Sequence, residues 1–273
     1  MVPRLLGVDF TCAPSRRKPI TVARGRLEGS RLRLDALDSL PSLGAFEALL
    51  AEPGPWFGAF DFPFGLPREF VGALALGDTT DAVIAALRRR CADRLALRAL
   101  IDDWSRSRAA GQRLAHRRTD VAMAGIRSTS PLQTRYVPVG FMYFEGLWRL
   151  VDAGVSLPRL RTGDPARVAV EGYPGLLAFE LVGRRSYKNR DDDDRRAARA
   201  DIVRGLEQGS GRLGVRLVLG QGLRQALLDD AGGDALDAVL CLVQAAWAGA
   251  RPDAGLPEPV DPVEGWIATV GLA

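Results

Sequence analysis

The chain opens on a short apolar run, Leu5-Leu6-Gly7-Val8-Asp9-Phe10, with the length and composition of a buried central strand. Pro19 to Arg26 and Arg31 to Leu37 read as the two arms of a hairpin. Leu32 and Leu34 alternate with Arg31, Arg33 and Asp35, and Glu28-Gly29-Ser30 supplies the turn. Ser42 is placed to cap a helix over Leu43 to Leu50, and Pro53-Gly54-Pro55 stops it. Trp56 to Phe60 is a fourth buried strand, closed by Pro63, Gly65 and Pro67.

Residues 78–153 change to helical periodicity. Asp81 to Arg90 and Asp93 to Arg108 present apolar and polar faces, and Val137 to Val151 is a further apolar helix ending at Gly154. Between them runs a polar, arginine-rich stretch from Gln112 to Arg127. No Gly/Ser or Pro linker flanks this block. It is therefore expected to be a helical insertion, about residues 68–160, within a single domain spanning 1–273. Arg167 to Val170 predicts a fifth strand, and Leu176 to Val182 a short helix or turn. Asp191 to Asp194 reads as a solvated loop or helix start. Helices are expected at about Ala200 to Glu207, at Leu223 to Leu228, and at Ala235 to Ala248, which is strongly apolar. Trp266 to Val270 is strand-like. The first three strands are too closely connected to be parallel, because a parallel crossover needs a dozen or more residues. The fold class expected is α/β: a mixed sheet, three antiparallel strands and then two parallel ones, flanked by helices.

Composition narrows the chemistry. The 273 residues are 47% hydrophobic and 26% charged, an ordinary globular profile, with a formal net charge of +4 that permits nucleic acid as a partner without demanding it. His116 is the single histidine, and Cys12, Cys91 and Cys241 are scattered, so neither a His/Cys zinc site nor disulfide stapling is expected. No run approaches the ~18 apolar residues of a spanning helix, and no targeting signal is evident; a cytoplasmic protein without a membrane partner is expected. Of 37 basic residues only Lys18 and Lys188 are lysine, and neither lies in a Walker-type loop. Chemistry therefore falls to carboxylates, arginine or Lys188.

Three apolar strands each end on an acid: Asp9, Asp61 and Glu171. A fourth and fifth, Asp234 and Asp237, open the last apolar helix. Singly, Asp9 or Asp61 reads as a former of local turns, and Asp234 as a helix N-cap with Asp237 near the third helical position. Together they are harder to dismiss. Adjacent parallel strands present their C-terminal ends along one rim, where open α/β sheets bind ligands. Carboxylates wedged among hydrophobic residues are costly unless paired, and a hard divalent cation such as Mg²⁺ or Mn²⁺ would pair them. One or two such ions activate water for phosphodiester cleavage without histidine or thiol. Lys188, retained where arginine is otherwise favoured, suits a phosphate or water contact, or is one of two lysines surviving by chance. Arg113, Arg117, Arg118 and Arg127 offer an anion-binding cluster, or simply solvate their loop. His116 reads as a solvent-facing residue.

The order of these elements resembles the ribonuclease-H-like fold. More closely, GVDF (7–10), DFPFGLP (61–67), EGYP (171–174), SYKNR (186–190), DALDAVLC (234–241) and EGWI (264–267) resemble a domain-of-unknown-function family of predicted nucleases in that superfamily. The resemblance implies Asp9, Asp61 and Asp237 as metal ligands, with Asp234 or Glu171 as the fourth. It also implies a metal-dependent phosphodiester hydrolase, a nuclease, as the activity. Many ribonucleases H carry a further glutamate on the first helix, where this chain offers Glu47. Two other readings stand beside it. A phosphotransferase of the actin-like or sugar-kinase type would want a glycine after Asp9-Phe10, where Thr11 stands instead. A non-catalytic module on the same fold would use the arginine-rich insertion to hold a partner.

Overall fold

A computed structural model describes residues 3–271, so the four outermost residues of the expected 1–273 domain lie outside the description. β1 (Arg4–Asp9) buries Leu5 through Val8, as a short apolar run in mid-sheet must. It pairs antiparallel with β2 (Ile20–Glu28), which turns through Glu28-Gly29-Ser30 and pairs antiparallel with β3 (Arg31–Leu40). α1 (Leu43–Leu50) is capped by Ser42, whose hydroxyl accepts from the Ala45 amide at 3.1 Å. The crossover through α1 returns the chain to β4 (Trp56–Phe60), parallel to β1 with Val8 opposite Phe60.

The segment that follows β4 holds α2 (Arg68–Ala73), α3 (Thr80–Arg90), α4 (Arg94–Arg106) and α5 (Val139–Asp152). It leads to β5 (Val155–Ser156) and β6 (Asp164–Glu171). Then come α6 (Pro174–Val182), α7 (Asp193–Gln208), β7 (Arg216–Val218), α8 (Gln221–Asp229) and α9 (Asp234–Gly249). The result is a mixed α/β fold on a seven-stranded sheet of order β5-β6-β4-β1-β2-β3-β7.

Strand alternation divides the core in two. Leu6, Val8, Val22 and Phe60 face α1 and α3–α5 in one apolar cluster. Leu5, Ala23, Ala59 and Val170 face α6–α9 in another. Asp9 and Asp61 continue the second face, so their side chains emerge on the side covered by α9.

Several expectations are corrected. β5 and β7 extend the five-stranded expectation at both edges; with two and three residues, they are too short to show periodicity. Trp266 to Val270 forms turns and touches the sheet through one parallel bridge, Ile267 to Glu171. α7 begins seven residues before the expected Ala200, because Asp192 caps it through the Arg195 amide and Asp193–Asp194 occupy the first turn, where carboxylates complement the dipole. Asp234 is not a cap. The cap position is Gly233, in the left-handed region at φ 82°, and the Asp230 carboxylate accepts from the Ala235 amide at 2.8 Å. Asp237 thus stands at the fourth helical position.

α9 is apolar nearly all round, and residues Leu236 through Ala248 are buried, the profile of a helix enclosed in a core. Its backbone lies against β1 at Gly7. A Cβ there would fall 2.1 Å from the Ala238 carbonyl oxygen and 2.2 Å from the Leu242 nitrogen. Both obstacles are backbone and cannot rotate away. Gly7→Ala is expected to cost about 3 kcal/mol, the upper end for overpacking a core, read as a lowered midpoint in urea unfolding. An unchanged midpoint would refute this packing.

Candidate functional site

Parallel pairing of β1 with β4 sets Asp9 beside Asp61 at the C-terminal ends of two central strands, and the Asp61 amide donates to the Val8 carbonyl at 2.8 Å. The N-terminal turn of α9, held down by its contact at Gly7, brings Asp237 and Asp234 to the same end. Neither the Asp9 nor the Asp61 carboxylate accepts a hydrogen bond from any described residue. Desolvation, then the charges of Asp237, Asp61 and Asp234, push the Asp9 carboxyl well above its ordinary range. Desolvation, then Asp237, raise Asp61 to about 7, against the pull of Lys188.

Asp237 is differently placed. Its Oδ1 accepts from the Tyr187 hydroxyl at 2.5 Å, and its Oδ2 from Lys188 Nζ at 2.5 Å. Burial still raises its carboxyl, with Lys188 the main opposing influence. Burial alone would lower the Lys188 ammonium; the Asp237 charge and hydrogen bond outweigh it and hold the proton more firmly than usual. The Tyr187–Lys188 segment is clamped by α7. The Arg199 guanidinium, fully buried, donates to the Tyr187 carbonyl at 2.8 Å, and Arg195 Nε donates to the Lys188 carbonyl at 3.2 Å. A Cβ on Gly233 would meet the Lys188 Cβ at 2.6 Å, so α9's cap position also leaves room for this lysine.

Asp234 accepts from Lys18 Nζ at 3.4 Å. Both lysines of an otherwise arginine-based chain therefore sit on the acids that open α9. Lys18 was missed in the sequence, although the same compositional bias that marked Lys188 marks it. Tyr187 was also missed; nothing local distinguishes a tyrosine that holds a carboxylate from one that fills a core.

Glu171 ends β6 but is engaged elsewhere. Its two oxygens accept from Arg117 Nη2 at 2.6 Å and Nη1 at 2.7 Å, and its Oε2 also accepts from the Phe64 amide at 2.8 Å. Arg117 binds Asp120 as well, at 2.8 Å, and all three side chains are buried. Arg117 thus leaves the expected anion-binding cluster for an internal ion triad, because only a guanidinium fork serves two carboxylates at once. Burial raises the Glu171 carboxyl while Arg117 opposes it. Glu47 faces away from the acids, paired with Arg149 at 2.8 Å. His116 is half-buried, and desolvation lowers its pKa. Among the described residues, no group of three or more His, Cys, Asp or Glu side chains forms a ready-made metal cage. The three cysteines are free and buried. Among those residues no helix is long and apolar enough to cross a membrane.

A cavity of about 320 Å³ opens beside the acids, lined by Asp61, Tyr187 and Lys188 together with Phe62, Tyr173, Val137, Val139 and Met142. Tyr173 and Asp61 line the same space, and the burial of Tyr173 and the charge of Asp61 push its phenol up to about 12.

The sequence model of a family described as "Protein of unknown function (DUF429)" matches residues 7–262. No curated protein and no solved structure matches the chain.

Two outcomes are expected. Native Asp61 keeps its proton up to about pH 7, whereas the unfolded carboxyl loses it near 4, so between these values the native state binds more protons and this group's contribution to metal-free stability falls as pH rises. The melting-temperature advantage of Asp61→Asn over wild type should therefore grow from about pH 5 to about pH 8; an advantage that stays flat would refute the raised pKa of this half-buried carboxyl. Arg117→Leu leaves two buried carboxylates unpaired and should cost about 3–5 kcal/mol in urea unfolding.

Proposed function

The chain belongs to the DUF429 family of proteins of unknown function, and we propose that it is a divalent-metal-dependent phosphodiester hydrolase, a nuclease, built on a ribonuclease-H-like sheet. The stretch β3-β2-β1-β4-β6, antiparallel up to β1 and parallel beyond it, supports that fold reading because three antiparallel strands followed by two parallel ones is the sheet expected from the sequence.

The observation that carries the functional reading is the pair Asp9 and Asp61. Two carboxylates lie side by side at strand ends, with no hydrogen-bond donor among the described residues, and desolvation and then the charge of Asp237 raise the pKa of each. Lys188 offsets only part of the charge, and it is already engaged with Asp237. Hard oxygen donors in excess of cationic partners fit Mg²⁺ or Mn²⁺, with one or two ions held by Asp9 and Asp61 and with Asp237 and Asp234 beside them. Mg²⁺ is commonly bound through one or two carboxylates, its own waters and substrate phosphate, so a complete protein cage is not required. When bound, such an ion supplies Lewis acidity toward a phosphoryl oxygen and lowers the pKa of water.

The chain's own groups would do the rest. Asp9 and Asp61 would hold the ion through their carboxylate oxygens, and binding it would keep both deprotonated. Tyr187 holds Asp237 independently of Lys188, so a turn of the Lys188 ammonium from Asp237 toward phosphate would leave that acid with one donor and offset developing charge. Glu171, with both oxygens committed to Arg117, positions the end of β6, so Asp234 is the better fourth acid. The Lys188–Asp237 pair favours one competitor, a non-catalytic module in which an internal ammonium replaces the ion.

Purified protein with Mn²⁺ should cleave at least one of single-stranded, duplex, hybrid or branched nucleic acid. Asp9→Asn and Asp61→Asn should each reduce the rate by about 10²-fold or more, as removal of a principal electrostatic group does, and Lys188→Met by a comparable factor. Metal-dependent cleavage that survives both Asn variants would overturn the assignment, and calorimetry showing no Mn²⁺ binding would favour the non-catalytic module.

A further inference from the structure

We propose that the cavity beside Asp61 is a nucleobase pocket, so that the substrate is an unpaired nucleotide whose phosphate lies toward Asp61 and Lys188. The inference rests on the phosphodiesterase reading for the phosphate and on the cavity for the base. At about 320 Å³ the cavity has the size of a small-ligand site rather than of a groove for a duplex. A base inside a duplex cannot enter such a space, whereas an unpaired or extruded one can.

Phe62, Tyr173, Val137, Val139, Met142 and Ile267 give it apolar and aromatic walls, and Ser128, Thr129 and the Arg117–Glu171 pair add polar groups to the lining. Tyr173 offers a ring in a fixed place. Its amide donates to Gln244 Oε1 at 2.8 Å, and the ring packs over Gly175, where a Cβ would fall 2.8 Å from it. A flat aromatic wall is what a base stacks on, and stacking tolerates any base. The phosphate end is chemically distinct, with the Lys188 ammonium and the Asp61 carboxylate lining the same space. Val139 and Met142 come from the start of α5 and Val137 lies just before it, so with Phe62 the segment between β4 and β6 supplies four of these six apolar and aromatic residues.

The rim adds an independent observation. Tyr136, the residue before Val137, is 98% exposed and sits in the left-handed region at φ 63°. A bulky aromatic held in that conformation and packed on nothing is costly in both respects, and such strain collects at ligand sites. One residue along the chain from Val137, which lines the pocket, it would offer a platform for the neighbouring base of a strand.

Calorimetry with nucleoside monophosphates and Mn²⁺ tests the pocket, because these compounds carry no phosphodiester to cleave. They should bind about tenfold or more tighter than ribose 5-phosphate, the scale of one base-stacking contact. Val137→Trp, at a 56% exposed rim position that leaves the core intact, and Met142→Trp, in the wall, should each weaken nucleotide binding by about tenfold while leaving ribose 5-phosphate unchanged. Equal binding of ribose 5-phosphate by the wild type, or unaltered nucleotide binding by Val137→Trp, would overturn the proposal. A single-stranded phosphorothioate oligonucleotide that binds more tightly than the mononucleotide identifies a strand as the source of the base; equal affinity identifies a free nucleotide. Base-dependent binding without any cleavage would sink the hydrolase reading alone, and cleavage with base-independent binding would sink this one alone.

Discussion

The backbone-to-backbone contact between α9 and β1 at Gly7 governs the rest of the molecule. A helix that approaches a strand this closely can do so only where the strand has no side chain, and Gly7 lies two residues before Asp9 on the same face. The contact sets the depth of α9, and with it the height of Asp237 above the ends of β1 and β4. A Cβ on Gly25, opposite Leu5 on β2, would fall 3.1 Å from Leu242 Cδ2, so this glycine continues the same shallow trough across the sheet. An apolar helix, a glycine trough and a carboxylate pair at its end form one construction.

That construction concentrates negative charge where water is scarce. The chain counters it in two ways. At Glu171 the answer is internal and complete, a guanidinium shared with Asp120 and fully hydrogen-bonded. At Asp9 and Asp61 it is incomplete, because Lys188 is committed to Asp237 and no donor among the described residues reaches either carboxylate. Similar acids at the ends of neighbouring strands thus have opposite fates: one stabilises the fold, and the others are left able to bind something. Folding tolerates the unpaired acids because α9 and the two apolar clusters stabilise the sheet that carries them.

Much of this was legible in the chain. β1 to β4, α1 with its Ser42 cap, and α9 follow from apolar periodicity and stop signals, since those elements bury one face or all faces in a way that alternation reports. The acids at strand ends were visible for the same reason. What could not be read has a common cause. β7 has three residues and β5 two, too few for a period. Trp266 to Val270 carries strand-like residues, yet Gly265 and Gly271 in the left-handed region turn it away from the sheet after a single bridge. Asp230 replaced Asp234 as the residue that satisfies the first amides of α9, because the left-handed Gly233 brings the more distant carboxylate within reach. Arg117 looked like its arginine neighbours, and its burial depends on Glu171, 54 residues away.

The sequence by itself determined the longer strands and most of the helices, the poverty of histidine and lysine, and a short roster of carboxylates at strand and helix ends, because these follow from local periodicity and from composition. Only the tertiary structure decided which acids share a space and which are neutralised. That choice depends on register between β1, β4 and β6, on the depth of α9 over Gly7, and on partners such as Arg117, Tyr187 and Lys18 brought in from far along the chain. Charge and desolvation act through distance in space, and no pattern along the chain encodes that distance.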